Sequence, residues 1–188
     1  MMISFFKNNK ILTILLIITF VASILGLVFY FKLDITNKNI IKSNIDIFFK
    51  DKDIIKSFFI NQSISNILIW ILGISIFGII IVLLLYFLKV FIFSFELCSL
   101  ISSLGFKSLF SILIYYIPST IMIIVSFFIS YYSILLSIYL FKFLFLKRNY
   151  SFNYIIKKYI ILFIIFVFTL IISTFIDYIN ITYLINFN

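Results

Sequence analysis

The chain has no histidine, one cysteine (Cys98), one proline (Pro118), four glycines and six acidic residues. Without histidine and with a single thiol, disulfide frameworks, zinc sites and Cys–His dyads are excluded within one chain. No Gly-rich phosphate loop, GxSxG or HExxH motif occurs. Of the six carboxylates, Asp34, Asp46, Asp51 and Asp53 fall in one lysine-rich stretch, so paired acids for proton transfer are not expected elsewhere. The sequence therefore predicts no catalytic residues, no metal and no cofactor. It does not read as an enzyme.

What is present is hydrocarbon. Of 188 residues 65% are hydrophobic, 27 are Phe and 11% are charged, with a mean hydropathy of +1.31. From Asn66 to Lys142 only Lys89, Glu96 and Lys107 interrupt the apolar run before Lys142 closes it. No soluble domain has so little to offer water, so this stretch is solvated by lipid. The fold class expected is an all-α integral membrane protein, one polytopic domain over 1–188. The net charge of +9 fits cytoplasmic loop lysines better than nucleic-acid binding, because no basic patch is interleaved with aromatics in a polar context.

In order, the apolar runs predict spans near 11–31, 67–88, 90–104, 119–141 and 159–176. The first follows Lys7 and Lys10 and reads as a retained signal anchor, with Thr19, Ser23, Gly26 and Tyr30 along one packing stripe. Loop 32–62 carries six Lys, four Asp and Ile/Phe pairs spaced for two short amphipathic helices, the second capped by Asp51 or Asp53. In the second span Gly73 and Gly78 allow close backbone approach, and Trp70 and Tyr86 suit the interfacial belts. The third, 15 residues between Lys89 and Gly105, is short for a crossing: it spans if Lys89 and Lys107 snorkel outward and the bilayer thins, and is otherwise re-entrant. Pro118 is expected to kink or break the long run 108–141. Beyond it Ser119, Ser126, Ser130, Ser133 and Ser137 share a face, a seam for helix packing or, alternatively, for a hydrated path.

Loop 142–158 holds Lys142, Lys147, Arg148, Lys157 and Lys158 and no acid. The positive-inside bias puts it and the N-terminal lysines in the cytoplasm, so an even number of crossings separates them. With 90–104 as the fourth, the expectation is a five-helix transmembrane bundle, N-terminus cytoplasmic, C-terminus outside, with loop 32–62 and the tail after Asp177 outside. Glu96 is the misplaced charge, with Ser99 and Ser103 on its helical face. An intramembrane carboxylate costs roughly 2.5–3.5 kcal/mol on insertion scales. It therefore lines a polar cavity, meets a partner helix, or sits protonated against neighbouring hydroxyls.

The order of landmarks resembles the stage II sporulation protein M family: Asn66, Trp70, Leu72, Gly73, Gly78, Lys89, Phe95, Gly105, Lys107 and Pro118, then Ser173, Ile176, Asp177, Tyr178 and Ile179. Val90, Ser94, Ser108 and Ser119–Thr120 depart from that family's pattern. The resemblance implies a five-span, non-enzymatic scaffold in the cytoplasmic membrane of a bacterium, at the sporulation septum. There it would assemble with stage II sporulation proteins D and P, which degrade peptidoglycan during engulfment. A homo-oligomer is compatible with the small-residue faces. The reading from a different class is a transporter or channel subunit with a polar pathway near Glu96.

Overall fold

The computed structural model describes residues 10–50, 63–75, 77–105, 109–146 and 152–184. All of the secondary structure there is helical: α1 (Lys10–Lys32), α2 (Ile35–Lys50), α3 (Ser63–Leu72), α4 (Gly78–Leu104), α5 (Leu109–Leu146) and α6 (Phe152–Leu184). Among the described residues three helices, Lys10–Lys32, Gly78–Ser103 and Tyr116–Phe145, are long and apolar enough to cross a membrane. Large apolar side chains such as Phe20, Phe31, Ile80 and Phe168 stay exposed on the outside of the bundle, as expected where lipid is the solvent.

Contacts fix the direction of each helix. Thr19 meets Tyr86, Gly26 lies against Phe91 and Ser94, and Tyr30 meets Phe95. Numbers rise together, so α1 and α4 are parallel. Phe127 lies beside Tyr86 and Tyr116 beside Phe93, so α5 is antiparallel to both. Asn66 pairs with Ser126 and Gly73 with Ser137, which makes α3 parallel to α5. In α6, Lys158 lies over Tyr132 and Tyr159 meets Ser133. Only five residues separate α5 from α6, too few to carry the chain back along α5, so these two are antiparallel. Lys10, Lys142, Lys157 and Lys158 therefore gather at one end of the bundle, and Lys32 and α2 sit at the other.

The largest difference from the sequence reading lies between 63 and 104. The expected span 67–88 is broken. α3 stops at Leu72, the chain turns at Gly73–Ser75 and Phe77, and α4 runs unbroken from Gly78 to Leu104. The expected boundary at Lys89 does not exist, and 90–104 is the second half of a 27-residue helix about 40 Å long. Two glycines mark the true break. At the end of α3 the bonds tighten to the i→i+3 type, Ile74 N to Ile71 O at 3.1 Å and Ser75 N to Leu72 O at 3.0 Å. A Cβ on Gly78 would overlap Leu72 O, and one on Gly73 would run into Ser133 and Tyr159.

Other expectations shift less. Helix α5 is continuous across Pro118, so no break occurs there. Transmembrane helices tolerate proline when nearby groups serve the freed carbonyls. The last helix continues past Asp177 to Leu184, so most of the expected tail is helical. No Gly or Pro occurs in 152–184 to stop it. One amphipathic helix, α2, forms in loop 32–62, with Asp34 at its N-cap position and Ile45 packed against Leu100 and Tyr116. The second expected helix, with Asp51 and Asp53, falls outside the described residues.

Candidate functional site: a hydroxyl-bonded helix break

Ending a helix leaves its last carbonyls short of intrahelical N–H partners. Gly73 N–H reaches Ile69 O and Trp70 O, Gly78 N–H reaches Ser75 O, and side chains of other helices add to these bonds. Ser133 Oγ donates to Ile69 O at 3.2 Å, and the Tyr159 hydroxyl donates to Trp70 O. Ser137 Oγ shares its proton between Gly73 O at 3.1 Å and Ser75 O at 2.8 Å. Ser126, Ser130, Ser133 and Ser137 are all fully buried, and Ser119 nearly so. A serine every third or fourth residue puts these hydroxyls on one face of α5, where small side chains let the α3 backbone come close. Trp70 stacks on Tyr159, centroids 5.3 Å apart, and packs against Phe163 at 4.3 Å, which ties α6 to the same point.

Asn66 closes the upper end. Ser126 Oγ lies 2.6 Å from Met122 O and 2.6 Å from the Asn66 side-chain amide. One hydroxyl carries one proton, so both contacts are met when that proton goes to Met122 O and the amide turns its NH₂ toward Ser126. This orientation also gives a partner to Asn66 Nδ2, which otherwise joins Trp70 Nε1 and Ser130 Oγ as buried and unpaired.

The Glu96 group is arranged differently from the sequence expectation. Ser99 Oγ donates to the backbone Glu96 O at 2.7 Å and Ser103 Oγ to Leu100 O at 3.1 Å, so both hydroxyl protons serve their own helix. Glu96 is half-buried, whereas Ser99 is buried. Ser99 and Ser103 line a cavity of about 210 Å³ between α1, α2 and α4, and Glu96 is not among its walls. The residue that sequence reading underrated is Lys89. It is the twelfth of 27 residues in α4 and only 8% exposed. With Glu96 seven positions on, it forms one charged stripe along α4. Hydropathy over 78–104 taken whole would have placed it mid-span. Among the described residues no group of three His, Cys, Asp or Glu could hold a metal, and Cys98 is buried and free.

Comparison with protein-family models, with curated proteins and with solved structures finds no match to this chain.

Proposed function

We propose that the chain is a non-enzymatic membrane scaffold that crosses the bilayer five times. The passages are α1, a returning limb that contains α3, then α4, α5 and α6. The lysine-rich end at Lys10, Lys142, Lys157 and Lys158 faces the cytoplasm. This keeps the expected orientation and count while moving the boundaries of the second and third passages. One observation carries the reading: the buried hydroxyls of α5 and α6 are engaged in holding the broken limb, which suits a rigid frame.

The resemblance to stage II sporulation protein M supports a more specific form. Its landmarks Asn66, Trp70, Leu72, Gly73 and Gly78 all fall on α3 or at the break. On this reading the chain sits in the sporulation septum and gathers the peptidoglycan-degrading proteins D and P during engulfment. Affinity purification of the tagged full chain from sporulating cells should recover both proteins, and deletion should arrest engulfment. Recovery of neither, with engulfment intact, would refute it.

The buried Lys89 and the Glu96 stripe favour a second reading, a transport subunit with a charged path along α4. Solute flux into liposomes holding the purified chain alone, abolished by Lys89→Met, would replace the scaffold with this reading. The scaffold predicts no flux.

A further inference from the structure

The cavity at the Lys32 end of the bundle has walls of one charge sign. Lys38, Asn39 and Lys42 come from α2, and Ser99, Ser102 and Ser103 from the last turns of α4, with no carboxylate among its lining residues. Positions 38 and 42 are one turn apart, so both ammonium groups project from the same side of α2. Lys38 is held in place: Nζ donates to Phe31 O at 3.0 Å and lies 5.7 Å from the Tyr30 ring centroid. Two of its N–H groups remain for another acceptor. At about 210 Å³ the space takes a phosphate group with several waters, one water filling roughly 30 Å³.

We infer that this cavity binds a phosphate-bearing anion, the headgroup of an anionic phospholipid or free phosphate. The carbonyl ends of α1 and α4 oppose an anion by about half a charge each. Two full ammonium charges outweigh them, and Lys38 already meets one of those ends. The location favours lipid as the source. Here α1 and α4 both finish, Phe29 and Phe31 project from α1 into the surroundings, and Lys32 follows at once, which is the depth of headgroups. The inference rests on the membrane reading alone and stands whether or not proteins D and P are partners.

The test is native mass spectrometry of the detergent-purified full chain with phosphatidylglycerol, phosphatidylcholine and inorganic phosphate as separate probes. Phosphatidylglycerol should be retained over phosphatidylcholine, and Lys38→Gln with Lys42→Gln should weaken its retention roughly tenfold or more. Ser102→Asp keeps both lysines but puts a carboxylate in the cavity, and it should do the same. Lys157→Gln with Lys158→Gln, at the other end, should leave retention unchanged. If inorganic phosphate instead raises the melting temperature in a Lys38- and Lys42-dependent way, and the two lipids bind alike, the anion is free phosphate. Equal binding of both lipids, with no phosphate effect that depends on these lysines, would overturn the inference. So would retention of phosphatidylglycerol unchanged in the folded Lys38/Lys42 and Ser102 variants.

Discussion

Gly78→Ala should lower the stability of the purified protein by about 3 kcal/mol or more in an SDS titration, the upper range for overpacking. The added Cβ would overlap Leu72 O. A backbone oxygen has no rotamer to escape into, so the turn itself must move. Gly73→Ala should cost a similar amount, because Ser133 and Tyr159 occupy the space and are fixed by their bonds to Ile69 O and Trp70 O. Ser133→Gly in the Gly73→Ala background removes both the Cβ and the hydroxyl in the way, and should recover part of the loss. Ile80→Ala is the control. Ile80 is 77% exposed to the surroundings just beyond the turn, so a change within about 0.5 kcal/mol is expected. If Gly78→Ala behaved like Ile80→Ala, the close approach at the break would be wrong.

Gly26→Ile should detach α1. Its Cβ would meet Phe91 O at 2.5 Å, Ser94 Cβ at 3.0 Å and Phe95 N at 3.1 Å, two of them backbone atoms of α4. In a bilayer no hydrophobic effect draws helices together, so close packing of this kind is most of what holds them. The ring contacts of Phe29 with Phe91 and Phe95, and of Tyr30 with Phe95, lie beside Gly26 and depend on the same close approach. The Thr19–Tyr86 hydroxyl pair, 2.7 Å apart, sits two turns away and would separate too. With Cys98→Ala as background, cysteines at positions 19 and 86 should be joined by a short bis-thiol reagent. Gly26→Ile should reduce that yield several-fold, and an unchanged yield would mean the helices meet elsewhere.

Much of the architecture could be read in advance. The all-helical membrane class follows from hydropathy. The α1 stripe of Thr19, Gly26 and Tyr30 and the α5 serines lie on buried or contacting faces because small and hydroxyl side chains are out of place facing lipid. The position of the helix break was not legible, for a physical reason. A lysine inside an apolar run looks like a loop, so Lys89 drew the boundary. The real break, GISIFG, contains no charge. The carbonyls around it also accept bonds from Ser133, Ser137 and Tyr159, more than 60 residues away in sequence. A window of local sequence cannot register such partners. Glu96 misled in the opposite way: Ser99 and Ser103 share its face, yet their protons go to backbone carbonyls one turn back, an option open to any helical serine.

The central claim is that the chain turns between Leu72 and Gly78 beside the lysine-rich end and then crosses once through Lys89 to Leu104. Cysteine accessibility to a membrane-impermeant maleimide tests it most directly, using single cysteines in a Cys98→Ala background in right-side-out and inside-out vesicles. Phe77, 83% exposed at the turn, should label as Phe77→Cys only in inside-out vesicles. Ser102→Cys should label only in right-side-out vesicles, and Lys89→Cys in neither. Labelling of Lys89→Cys from the cytoplasmic side, with Phe77→Cys protected from both, would contradict the account and restore a helix boundary at Lys89.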